Sequence, residues 1–131
     1  MANGMYTAGI TGIMNGSIDL DSNTINAVLV NTANYTVNLS SHTVLADVPA
    51  SARKGTRTLT GKTVSGGVFD ASDLSINGVN ADDVNAIIIY KESSTALIAY
   101  IDTGFSATGA LANNTVTITW NAGTNKIFKI G

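Results

Sequence analysis

The stretch Val84-Asn85-Ala86-Ile87-Ile88-Ile89-Tyr90-Lys91-Glu92, followed after Ser93-Ser94-Thr95 by Ala96-Leu97-Ile98-Ala99-Tyr100-Ile101, decides the reading of this chain. Three consecutive isoleucines show no polar alternation. A short, unbroken β-branched run bounded by turn residues predicts a strand buried on both faces. The second segment is its natural hairpin partner, with Ser93-Ser94-Thr95 as the turn.

Working outward, Thr115-Val116-Thr117-Ile118-Thr119-Trp120 alternates with a period of two, which predicts a strand with one apolar and one hydroxyl-bearing face. A loop is expected from Asp102 to Asn114. Asn121 to Asn125 reads as a turn, and Lys126-Ile127-Phe128-Lys129-Ile130 as a closing strand. Upstream, Ile25-Asn26-Ala27-Val28-Leu29-Val30 is a strand by its β-branched content, and Asn31 to Asn34 a turn. Tyr35 to Leu39 alternates and fits either a strand or the approach to a helix. Ser40-Ser41-His42-Thr43 offers capping chemistry before Val44, Leu45 and Val48, and Pro49 ends any helix, so one helical turn is expected near residues 42–48. Beyond Gly55, Leu59, Val64, Phe69 and Leu74-Ser75-Ile76 sit in short strand-like pieces broken at Gly61, Gly66-Gly67 and Asn77-Gly78.

The N-terminal segment is different. Tyr6, Ile10, Ile13 and Met14 have helical spacing, but Gly9 and Gly12 each weaken a helix by about 1 kcal/mol relative to Ala. The expectation is a short helix or an ordered arm over residues 1–16, stopping at Asn15-Gly16, ahead of a β-sandwich domain over 17–131.

Composition agrees with β structure. Close to a third of the chain is Ser, Thr or Asn, while Glu92 is the sole Glu and Gln is absent. Ser, Thr and Asn compete with helical hydrogen bonds, and the usual fillers of exposed helix faces are missing. At 131 residues with 44% hydrophobic residues, one core is expected. The fold class is therefore all-β: a single-domain sandwich, jelly-roll-like or barrel-like.

Only 12% of residues are charged and the net charge is −2. Arg53, Lys54 and Arg57 form the one basic cluster, too little for a phosphate-binding surface, so no nucleic-acid partner is expected. No apolar run is long enough to span a bilayer and the first residues lack a basic and apolar leader, so no membrane partner or signal peptide is expected. Without cysteine there is no thiolate chemistry and no disulfide.

Candidate chemistry is thin. His42 is the only histidine, and Ser40, His42 and Asp47 form a triad only on paper, without a nucleophile elbow. Asp19-Leu20-Asp21-Ser22-Asn23 copies the first ligand positions of a calcium loop, but Thr24 stands where Gly is required and Val30 where Glu is. Asp70, Asp73, Asp82 and Asp83 read as turn or capping carboxylates. No catalytic residue, cofactor or metal site is assigned. Trp120, Tyr90 and Tyr100 are read as packing residues, with sugar stacking as the competing role.

Taken in order, Met5-Tyr6-Thr7-Ala8-Gly9, Gly16-Ser17-Ile18-Asp19-Leu20, Ile25 to Val30, Gly61-Lys62-Thr63-Val64, Ala86 to Lys91, Leu97 to Asp102 and Trp120-Asn121 to Lys126-Ile127-Phe128-Lys129 resemble small structural proteins of tailed bacteriophages. The resemblance implies a non-enzymatic virion protein made in the host cytoplasm. It points first to a capsid decoration (cement) protein, with a tail or head–tail component, or a carbohydrate-binding module of a tail fibre, as alternatives. Implied partners are the major capsid protein or other virion proteins and further copies of the chain, a trimer being favoured. Met5, Tyr6, Ile10 and Ile13 are the candidate intersubunit contacts.

Overall fold

The computed structural model describes residues 4–76, 84–102, 105–109, 116–120 and 128–129, with backbone only for 74, 105–109, 116, 117, 119, 120, 128 and 129. In chain order the elements are β1 (Gly4–Met5), α1 (Thr7–Met14), β2 (Ile25–Val30), 3-10 turns at Thr32–Asn34 and Leu45–Asp47, β3 (Arg53–Thr58), β4 (Thr63–Ser65), β5 (Val68–Asp70), β6 (Leu74–Ile76), β7 (Ala86–Lys91), β8 (Leu97–Ile101), β9 (Phe105–Gly109), β10 (Val116–Trp120) and β11 (Phe128–Lys129). They form a five-stranded antiparallel sheet in the order β1-β8-β7-β2-β3 and two three-stranded sheets, β6-β10-β9 and β11-β5-β4. The chain is a small all-β domain with one short helix.

The isoleucine run is the centre of the molecule. Ile87, Ile88 and Ile89 of β7 stand opposite Leu29, Val28 and Ala27 of β2, and all six are fully buried. Side chains alternate across a strand. Ile25, Leu29, Ile87 and Ile89 thus pack with Leu59, Phe69, Ile76 and Ile118 of the smaller sheets and their connections. Val28, Val30, Ile88 and Tyr90 pack on the other side with Tyr6, Tyr35, Val48 and Ala52. The expectation of a strand buried on both faces holds, and each aliphatic side chain so buried contributes about 1.5–3 kcal/mol. The second face is covered by irregular chain from Tyr35 to Ala52, not by another sheet. Within that cover Tyr35, Val37 and Leu39 point inward without forming a strand, so the alternation there reflects packing alone.

β8 carries a bulge. Ala99 pairs with Ile89 and Leu97 with Tyr90, leaving Ile98 as the extra residue. The N-terminal segment docks there. Gly4 and Met5 pair with Tyr100 and Ala99, and the Tyr6 N–H donates to the Ile98 carbonyl at 2.9 Å. A Cβ on Gly9 would lie 2.6 Å from Ile98 Cα, so α1 approaches the strand backbone as only a glycine allows. Helix propensity is given up for contact. The helix ends as its sequence predicts, with Asn15 at the C-cap and Gly16 at φ +84°. A second strip completes the edge: the Leu45 N–H donates to the Thr95 carbonyl at 2.9 Å, the Leu97 N–H donates to the Thr43 carbonyl at 3.0 Å, and Val44 bridges Ala96.

Two strands depart from the sequence reading. β3 is Arg-Lys-Gly-Thr-Arg-Thr, with no apolar alternation to mark it; it is an edge strand whose partner, β2, supplies the burial. β9 lies in the expected loop after Asp102 and pairs along its whole length with β10. The helical turn expected at 42–48 is the 3-10 turn Leu45–Asp47. The turns read at Asn77-Gly78 and Asn121 to Asn125 lie outside the described residues, as do Asp82 and Asp83.

Candidate functional site

A hydrogen-bonded chain of rings crosses the covered face of the main sheet. The Tyr6 and Tyr35 hydroxyls are 2.8 Å apart, and the Tyr35 hydroxyl is 2.8 Å from His42 Nδ1. The Tyr35 and His42 rings lie 5.4 Å apart, centroid to centroid, and Tyr35 also approaches Tyr100 at 6.5 Å. With Tyr6 donating to Tyr35, and Tyr35 to an unprotonated Nδ1, each hydroxyl is satisfied. Burial, followed by the bond to Tyr35, raises the Tyr6 hydroxyl far above its ordinary value; burial raises Tyr35 too. Tyr100 is pushed up to about 12, first by burial and then by the negative charge of Asp102. The chain joins the N-terminal segment to the 35–42 stretch, and Tyr6 itself is fully buried. Its geometry suits holding the cover in place.

No hydrogen bond links the Ser40, His42 and Asp47 side chains to one another. Ser40 Oγ donates to Asn38 Oδ1, and Asp47 Oδ2 accepts the Thr43 and Val44 N–H groups at 2.8 and 3.2 Å. Those backbone bonds hold the Asp47 carboxyl below its ordinary range. His42 instead lies within hydrogen-bond distance of the Tyr35 hydroxyl through Nδ1, and Tyr35 in turn of Tyr6, a partner 29 residues away in sequence.

Asp19 folds its own turn: Oδ1 accepts the Asp21 and Ser22 N–H groups, while Asn23 Oδ1 accepts the Asp19 N–H. Lys62 and Lys91 donate to the Asn23 and Ser17 carbonyls, tying this loop to the body. Among the described residues no group of three or more His, Asp or Glu is placed to hold a metal ion. Tyr90 and Tyr100 are buried, with Asn26 Nδ2 donating to the Tyr90 hydroxyl, so neither ring offers a sugar-stacking face. The Trp120 side chain lies outside what is described.

The open apolar surface lies on α1 and beside it. The large hydrophobics exposed among the described residues are Ile10 at 37%, Met14 at 81% and Val64 at 49%. Ile10 and Met14 are one turn apart on a helix without a charged residue. Ile13 and Val64 line an open groove of about 380 Å³, floored by Ile18 and Leu20 and rimmed by Asp19 and Asp21. Of the four contact candidates, then, Ile10 is exposed, Ile13 lines the groove, Met5 is partly buried against its own core and Tyr6 is wholly inside it. Met14 and Val64 belong to this surface and were not among the contact candidates, although the sequence already sets Met14 at helical spacing from Ile10.

Comparison with protein-family models, with curated proteins and with solved structures found no match. Among the described residues no helix is long and apolar enough to cross a membrane.

Proposed function

We propose that this chain is a non-enzymatic structural protein of a tailed-phage virion, most simply a decoration protein that binds the capsid surface and stabilises it. The observation that carries the reading is the uncharged α1 face with Ile10 and Met14 exposed next to the Ile13–Val64 groove. Apolar side chains held on a helix that is itself anchored to the sheet edge form a surface suited to contact. The likeness of the ordered segments to small phage structural proteins supplies the setting. One copy offers a small contact, and repetition over a capsid lattice converts small contacts into strong retention.

Capsids lacking the protein, mixed with increasing amounts of it, should bind it saturably and unfold at a higher temperature. Met14→Asp combined with Ile10→Asp should abolish binding while leaving the circular-dichroism spectrum and melting temperature of the free protein unchanged. Capsids that retain none of the wild-type chain would overturn the reading.

A further inference from the structure

The apolar groove beside α1 carries charge of one sign. Ile13 and Val64 line it, and Asp19 and Asp21 at its rim are both exposed. No Lys, Arg or His is among its lining residues. Lys91 and Lys62 reach the same loop, but they donate to the Ser17 and Asn23 carbonyls and form no part of the groove wall. The end of α1 adds to the negative potential. It opens onto the groove through Gly16 and has no basic residue in its last turn. A helix C-terminus carries a partial negative charge, about half an elementary charge for aligned peptide dipoles, which a cation in the last turn usually offsets.

The two carboxylates are held in place by their own loop. Asp19 Oδ1 accepts the Asp21 and Ser22 N–H groups at 3.3 Å, and Asn23 Oδ1 accepts the Asp19 N–H at 2.8 Å. Asp21 Oδ1 accepts from the Ser22 hydroxyl. None of these partners is a cation, so they position the negative charge without cancelling it. Two such rims brought face to face would repel each other, which argues against a second copy as the occupant of this groove.

We propose that the groove takes a basic, apolar-tipped segment of the capsid protein: an aliphatic or aromatic side chain seated between Ile13 and Val64, flanked by Lys or Arg facing Asp19, Asp21 and the end of α1. The inference rests on the decoration reading and adds to it the chemistry of the partner. At 380 Å³ the groove has room for a side chain and its neighbours. Burial of the apolar tip supplies affinity. The one-sided charge decides which segment is accepted and in which direction it lies, and it rejects segments with acidic flanks.

The test titrates capsids lacking the protein with the whole chain, wild type and variants, at low and at moderate sodium chloride. Asp19→Asn combined with Asp21→Asn removes the charge but keeps the side-chain oxygen at 19 that accepts from Asp21 and Ser22, and circular dichroism with the melting temperature checks the fold. Wild-type binding should weaken as salt rises. The neutral variant should bind about tenfold more weakly at low salt and lose most of the salt dependence. Asp21→Lys alone should also bind more weakly than wild type. Where the wild type binds, equal affinity of the neutral variant, undiminished binding of Asp21→Lys, or wild-type binding that strengthens with salt would overturn the basic partner and leave the decoration reading standing. Capsids that bind no wild-type chain would overturn both.

Discussion

Gly9 of α1 rests directly on the backbone of Ile98, the bulged residue of β8, with Ile98 Cα and the Ile98 and Leu97 carbonyl oxygens 2.6–2.8 Å from where a Cβ would stand. An exposed helical glycine replaced by alanine gains about 1 kcal/mol. Here the atoms in the way are backbone, which cannot swing aside. Gly9→Ala should therefore destabilise the protein by about 1–3 kcal/mol, read from the urea midpoint. A gain in stability would show that the helix stands further from the strand.

The two buried tyrosines should not be equivalent. Tyr35→Phe leaves the fully buried Tyr6 hydroxyl without the partner it has at 2.8 Å, which costs about 1–3 kcal/mol. Tyr6→Phe leaves Tyr35 still bonded to His42 Nδ1 and should cost less than about 1 kcal/mol. Chemical denaturation of the two variants checks the order; equal losses would contradict it.

Asn26 is the buried polar side chain of the main sheet among the described residues, tyrosines aside. Its Oδ1 accepts from Thr58 on β3 at 2.9 Å, and its Nδ2 donates to the Tyr90 hydroxyl and Glu92 on the β7 side. It pins the register of three strands. Asn26→Ala should cost about 2–3 kcal/mol, more than Thr58→Val, because it strips partners from both neighbours. Hydrogen exchange should quicken first in β3. A loss no greater than that of Thr58→Val would count against this role.

Alkali should unfold the protein cooperatively. Tyr6, Tyr35 and Tyr100 are all raised above the ordinary tyrosine value near 10, chiefly by burial, Tyr100 to about 12. The unfolded chain thus releases these protons at lower pH than the native one. Stability is intact below about pH 10 and falls as pH rises toward and through the native values. Melting temperature should drop steeply over that window, with tyrosinate absorbance appearing together with unfolding. Full ionisation of these tyrosines in a protein that stays folded would refute the burial.

Much of this architecture was legible in the residues. Ile87-Ile88-Ile89 signalled double-sided burial because three adjacent isoleucines cannot alternate between core and water, and Asn15-Gly16 marked the helix end through the one residue type at ease with positive φ. What stayed hidden depended on partners far away in sequence. β3 looks like a polar loop because an edge strand borrows its burial from its neighbour. Phe105 to Gly109 gained strand structure from pairing with β10. His42 gave no sign of its bond to Tyr35, since Tyr35 is held in place by Tyr6. The apolar surface was half visible: Ile10 and Ile13 were singled out, whereas Val64 joins them only because the β4–β5 hairpin folds beside the 16–21 loop.

The closure of the β8 edge by residues 4–6 has a consequence for the order of events during synthesis. Residues 4–6 are matched to one of the later strands, so Tyr6 and the apolar side of α1 stay without their native surroundings until Ile98 and its neighbours emerge. Acquisition of the native state is tied to contacts of long sequence separation, the property that slows folding and lengthens exposure to aggregation.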